Sequence, residues 1–245
     1  MKFYQILFHD HELARSTCTA LIGGGGKTTL LSAMGKELSE HFPHVLLTSV
    51  TKSQTDSPFR VEYYKNVRKS NDNSILKLDN PVFVVNAKIN NDKYQGISEK
   101  QLNGIINHFD LCLFESDGAR NKSLKAHNNV DPIIPDCATH LVIIVGADVV
   151  DTNLSDGFVH RTDLFQENWE IDLQDTLSPD FIAEVISTKK GYLSKLHHQL
   201  EIAYFINKAE EFGNQANELA HAVKSQTGSP VFYGSTNSKW VKEYK

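Results

Sequence analysis

Clustered basic residues, paired cysteines and long apolar runs are what this sequence lacks. Its three cysteines, Cys18, Cys112 and Cys137, show no C-x-x-C spacing and leave an odd count. That argues against a disulfide framework or a thiolate zinc site and points to a reducing cytoplasm. No apolar run reaches bilayer-spanning length, and the start Met1-Lys2-Phe3-Tyr4 carries no signal-peptide pattern, so no membrane role is expected. There is no dense Lys/Arg block and the formal net charge is −5, which argues against a nucleic-acid surface. What remains is 245 residues, 40% hydrophobic and 22% charged. That is the profile of a single α/β domain spanning 1–245.

Against that plain background stands Leu21-Ile22-Gly23-Gly24-Gly25-Gly26-Lys27-Thr28-Thr29. An apolar run at 17–22 precedes it, and Leu30, Met34 and Leu38 follow on one helical face. Strand, glycine loop, helix is the context that turns such a string into a phosphate-binding loop. Glycines let successive N–H groups point inward as a nest for phosphate oxygens, and the helix N-terminus adds partial positive charge. Gly23, Gly24, Gly25, Gly26, Lys27, Thr28 and Thr29 are therefore the expected nucleotide-binding residues. Lys27 would reach the outer phosphates, and Thr28 would offer its hydroxyl to Mg²⁺. The standard spacing requires glycine where Leu21 stands. The variant Lys-Gly-Gly-x-Gly-Lys-Thr-Thr fits better, with Ile22 in place of its extra lysine.

A second strand pattern, 110–114, runs into Glu115-Ser116-Asp117-Gly118-Ala119-Arg120. Acids two residues apart at a strand end share one side. Glu115 and Asp117 are thus the expected Mg²⁺ and water-positioning pair beside Thr28. Arg120 and Lys125 follow as cations able to neutralise charge on a transferred phosphoryl group. A sixth strand, 202–206, ends in Asn207-Lys208-Ala209-Glu210. This is similar to the Asn-Lys-x-Asp element that reads guanine, with Glu210 one methylene longer than Asp, so GTP and ATP both stay open. Thr48 and Thr51, at the end of a strand over 45–50, are further candidates for the pocket.

The rest reads more faintly. A short helix is expected over 1–15, where His9, Asp10 and His11 read as a solvated helix end. A helix plus exposed turn is expected over 53–80, a strand over 81–86, and a helix over 98–109 opened by a Ser98/Gln101 capping box. A strand at 140–146 precedes a long irregular segment, 147–177, read as a functional loop carrying His160 and Arg161. Ser178-Pro179 opens a helix, His197-His198 reads as solvent-facing, a helix spans 208–225, and 230–233 closes the sheet before a frayed tail.

Taken together these blocks resemble the YqeC family. The resemblance rests on 23–29, on 114–120, on Ser123-Leu124-Lys125-Ala126, on Asp131-Pro132-Ile133-Ile134-Pro135, on Val159-His160-Arg161 and on Asn207-Lys208, in order over about 15–225. Ser116, His127 and Asp131 stand where the family usually has alanine, often proline, and usually glutamate. The resemblance implies a phosphate-loop hydrolase-like fold and a link to selenium-cofactor biosynthesis or to maturation of selenium-dependent molybdenum hydroxylases. It also implies a partner protein on that route, but supplies no reaction.

The expected architecture is a three-layer α/β/α fold on a mostly parallel sheet, with the site at the strands' carboxyl edge. The leading expectation is a slow NTP hydrolase using Mg²⁺. A small-molecule phosphotransferase and a non-hydrolysing nucleotide-binding scaffold are the alternatives, with a redox or selenium-carrying Cys137 a minor fourth. Analogy with other phosphate-loop proteins adds homodimerisation across the nucleotide.

Overall fold

The computed structural model describes residues 1–8, 15–54, 57–69 and 78–245. In chain order, β1 (Thr17–Gly23) leads through the glycine loop to α1 (Lys27–Leu38) and β2 (Val45–Ser49). Next come β3 (Lys52–Gln54), β4 (Val61–Tyr63), the single turn α2 (Tyr64–Val67) and β5 (Val82–Val85). β6 (Ala87–Lys88) and β7 (Lys93–Gln95) join β3 in a small antiparallel side sheet. α3 (Glu99–Asn103), β8 (Leu111–Glu115), β9 (Leu124–Lys125), β10 (His140–Gly146), β11 (Val159–His160) and α4 (Thr162–Trp169) follow. The chain continues with α5 (Pro179–Ser187), β12 (Glu201–Asn207), α6 (Gly213–Thr227), β13 (Val231–Ser235) and β14 (Trp240–Glu243).

The main sheet has the order β14-β13-β12-β10-β1-β8-β2-β5-β4. Its pairings are parallel except β13 with β14. β1, β2 and β8 are buried along their whole lengths, which is why they read as unbroken apolar runs. Successive side chains on a strand point to opposite faces, so Leu21 and Ile22 enter different cores. On one face α1 packs Leu30, Leu31, Met34 and Leu38 against Leu21, Leu47 and Leu113. On the other, Ile182 and Val185 of α5 and Leu219 and Val223 of α6 cover Ile22, Phe114 and Ile143. The result is the expected three-layer α/β fold. Strand order reverses at β1, and crevices at the carboxyl ends of such reversals are where open α/β sheets hold ligands.

Several local expectations change. The 98–109 helix keeps its capping box but breaks after Asn103 and resumes as a 3₁₀ turn at Ile106–His108. The 147–177 segment is not structureless. It carries two 3₁₀ turns, β11 and α4, the last held down by Phe165 and Trp169, four apart and both buried. The last helix starts at Gly213, because Lys208 turns the chain with φ +68. The tail is not frayed: β14 pairs along β13 and buries Val241. The N-terminal helix is a 3₁₀ turn, Phe3–Ile6. His9, Asp10 and His11 lie outside the described residues, as does most of the turn expected near 70–77.

Candidate functional site

The glycine loop is wedged between neighbours. Gly23 has φ +102, and a Cβ there would collide with the Ile144 carbonyl of β10. A Cβ on Gly24 would lie 2.5 Å from the Lys122 carbonyl oxygen. Both positions need glycine because other backbone closes on them. Three of the loop's donors are also taken up. Gly23 N–H donates to the Asp117 carboxylate at 3.0 and 3.2 Å, Gly24 N–H to Ile144 O at 2.9 Å and Gly25 N–H to Lys122 O at 2.8 Å. The amide of Asn207 donates to Gly25 O at 2.6 Å.

Because β8 lies directly beside β1, its carboxyl end delivers both acids to the loop. Thr28, exposed in the first turn of α1, donates its hydroxyl to Glu115 Oε1 at 2.6 Å. Burial pushes the Glu115 carboxyl above the ordinary range, against the opposing pull of Lys27 and Thr28. Two hard oxygens, one of them a poorly compensated buried carboxylate, form a donor set that suits Mg²⁺.

Asp117 is different. It is fully buried, with Lys27 Nζ at 3.1 Å, His127 Nε2 at 2.7 Å and Lys125 Nζ at 3.4 Å. Burial opposes its ionisation, yet these partners hold it well below the usual carboxylate range. Lys27 is buried too and also donates to Gly23 O. It therefore faces the acid rather than open solvent.

Around Asp117 lies a buried polar cluster that single-residue reading did not assemble. Lys125, fully buried, pairs with Asp131 at 2.6 Å and donates to Gly118 O at 2.8 Å. Arg161 donates to both Asp131 oxygens at 2.8 and 3.0 Å. β9 and β11 pair Lys125 with His160 in register, so the 147–177 segment meets the stretch after Arg120 here. His127 stacks against Tyr192 with ring centroids 4.4 Å apart, and its Nδ1 is buried with no hydrogen-bond partner among the described residues. Burial holds His127 below its ordinary value despite the pull of Asp117. Because the carboxylate can only accept, Nε2–H donates to Asp117. Burial and the Arg161, Lys125 and Arg120 charges bring His160 down to about 4.

Other expected residues scatter. Arg120 is exposed, with φ +48. The hydroxyl of Thr48 donates to Val84 O at 2.6 Å inside the sheet, and Thr51 bonds Ser49, so neither joins the loop. Asn207 is buried against the loop and against Thr236 at 3.0 Å. Lys208 pairs with Asp148 at 2.6 Å and donates to Ser123 at 2.8 Å. Only Glu210 of that element is exposed. Cys137 is partly buried near Cys18, whose hydrogen bond draws its thiol below the ordinary value. It precedes β10 and so lies at the opposite edge of the sheet from the loop. Asp131, Asp148, Ser123 and Thr236 were not anticipated as site residues. For Ser123 and Asp131 the one signal was the polar density of 115–131 immediately after a buried strand.

The YqeC protein family matches residues 19–163, which covers the glycine loop, both acids and the Lys125–Asp131–Arg161 cluster. The chain belongs to the YqeC family. It is also similar to a protein of Escherichia coli (strain K12) described as "Uncharacterized protein YqeC", at 25% identity over 229 residues, covering 90% of this chain and 88% of that protein. The family match therefore takes in the candidate site apart from Tyr192, Thr236 and the β12 end with Asn207. No helix among the described residues is long and apolar enough to cross a membrane.

Proposed function

We propose that this YqeC-family protein binds a nucleoside triphosphate with Mg²⁺ at the 23–29 loop and hydrolyses it slowly, in the manner of phosphate-loop hydrolases. The observation that carries the reading is the 2.6 Å bond from Thr28 to Glu115 at the start of α1, beside Lys27. Thr28 and Glu115 would hold the Mg²⁺, which when bound would neutralise charge on the outer phosphates. Lys27 would exchange Asp117 for phosphate oxygens, and Arg161 and Lys125 would keep the neighbouring loops in place. Slow turnover follows from Asp117, whose carboxylate is already held by Lys27, His127 and Lys125 and so is a weak base. Asn207, Lys208 and Glu210 are the candidate base-contacting residues. The family resemblance adds the setting, selenium or molybdenum cofactor biosynthesis or maturation of selenium-dependent molybdenum hydroxylases, together with a partner protein.

Calorimetry and thermal shift with GTP, ATP and CTP, each with Mg²⁺, test this on wild type and Lys27→Ala. Saturation at one hundred times Kd should add about 2.7 kcal/mol of stability, and Lys27→Ala should lose it. No binding by any of the three would end the nucleotide reading. A preference for GTP would support the β12 base reader, and a preference for ATP would remove it. One observation favours a second reading, a scaffold that binds without turnover: the N–H groups of Gly24 and Gly25 are already bonded to carbonyls. Tight binding with no nucleotide cleaved would select it.

A further inference from the structure

At the opposite end of the sheet from the glycine loop, two connections cross just before β10 and β12 begin. They bring together Asp136, His197 and His198, with one ligand atom of each within 4.8 Å of the other two. Two imidazoles and a carboxylate converging in this way suit borderline divalent ions, not the all-oxygen preference of Mg²⁺ or Ca²⁺.

The hydrogen bonds around the rings decide which nitrogens are available. His198 Nε2 lies 3.0 Å from the Ala138 carbonyl. A carbonyl only accepts, so Nε2 carries the proton and Nδ1 is a bare lone pair. That Nδ1 is buried and has no hydrogen-bond partner among the described residues. His197 Nδ1 lies 3.0 Å from the Lys195 carbonyl, so Nδ1 carries its proton. Its Nε2 then faces Asp136 Oδ1 at 2.8 Å. A neutral ring would set lone pair against lone pair there, so the gap requires a cation, either a second proton or a metal.

Both rings thus have the arrangement found in metal-ligating histidines, with the far nitrogen donating to a carbonyl that fixes tautomer and orientation. Asp136 is positioned in turn by its own N–H, which donates to Glu99 Oε1 at 2.7 Å. Ligands on a tetrahedral zinc ion sit about 3.3 Å apart. Admitting one would spread the His197–Asp136 pair by about half an ångström, a small rotation for exposed side chains.

We infer that Asp136, His197 and His198 form a binding site for one divalent transition ion of the zinc class, with a position left open for water. The site is separate from the candidate nucleotide site, and its existence does not depend on that reading.

The test titrates the chelator-stripped 245-residue chain with Zn²⁺ by calorimetry and with Co²⁺ by visible absorption. One equivalent should bind, with the intense d–d bands of low-coordinate Co²⁺. His197→Ala and Asp136→Asn, both at exposed positions, should each weaken binding at least tenfold, and His198→Ala should do so if it folds. Cys137→Ser and Lys27→Ala should leave the affinity unchanged, and excess Mg²⁺ should not compete. Absence of binding in wild type would overturn the site. So would binding that survives both His197→Ala and Asp136→Asn, or binding lost in Cys137→Ser, which would assign the ion to thiolate.

Discussion

Asn207, at the carboxyl end of β12, donates its side-chain amide to the carbonyl of Gly25, 182 residues earlier in the chain. Its carbonyl accepts from the Thr236 N–H at 2.9 Å, so one buried side chain ties the glycine loop to the turn after β13. Asn207→Asp keeps the shape but removes the donor and turns a carboxylate oxygen towards the Gly25 carbonyl. A loss of about 2–3 kcal/mol is expected, measurable by urea denaturation, with at least tenfold weaker nucleotide binding. Glu210→Ala, exposed, should leave stability unchanged and alter only base preference. Equal effects of the two variants on stability would contradict the bracing role.

Lys125 connects Asp117 to Asp131 with no solvent access. Lys125→Met removes a charge from between two buried carboxylates and should destabilise by about 3 kcal/mol, the low end for a broken buried pair. The low end applies because Asp131 retains Arg161 and Asp117 retains Lys27. A Lys125→Met/Asp131→Asn cycle should show a coupling above about 1 kcal/mol. Additive effects would mean the pair contributes little.

Ser116 is completely buried and its hydroxyl has no partner among the described residues. An unsatisfied buried hydroxyl is unfavourable, and alanine is the residue that family resemblance would place at this position. Ser116→Ala should therefore stabilise by about 1 kcal/mol, raising Tm by about 2–4 °C for a chain of this size. A lower Tm in calorimetry would show that the hydroxyl does have a partner.

Acid should destabilise the fold through its histidines. In the folded protein His160 is brought down to about 4 from an ordinary 6.5. Between those values the unfolded chain binds a proton that the folded chain refuses, so stability falls as pH drops through that window. His127, also lowered, acts in the same direction. His160→Gln should flatten the fall in Tm between pH 6.5 and pH 4 relative to wild type. A parallel profile would show that His160 does not carry the effect.

The strands and the loop were legible for a simple reason. β1, β2, β8 and β10 are buried on both faces, so each is a near-continuous apolar run, and glycines are forced where backbone crowds backbone. α4 and β14 were missed because their apolar residues are few and spaced among polar ones. The cluster around Asp117 was illegible for another reason. Its ion pairs join residues from 6 positions apart (Lys125–Asp131) to 90 (Lys27–Asp117), and no sequence period records which lysine faces which acid. Asp131 entered the sequence reading only through the family resemblance, while its carboxylate holds both Lys125 and Arg161. Thr48 shows the converse error. It sits at a strand end, as reasoned, but its hydroxyl is turned into the neighbouring strand.

The self-bonded glycine loop has a kinetic consequence. Gly24 and Gly25 already hold carbonyl oxygens of β10 and of the 120–125 segment, and Lys27 already holds a carboxylate. On the proposed reading, an arriving anion would have to displace these internal competitors before Gly24, Gly25 and Lys27 could hold it. Capture would proceed well below the encounter limit, because only the fraction of molecules with the loop released can accept it. Any partner that pulled on the 120–131 segment would raise that fraction. Such a partner would act as a loading factor, setting how often the site fills without touching the ligand.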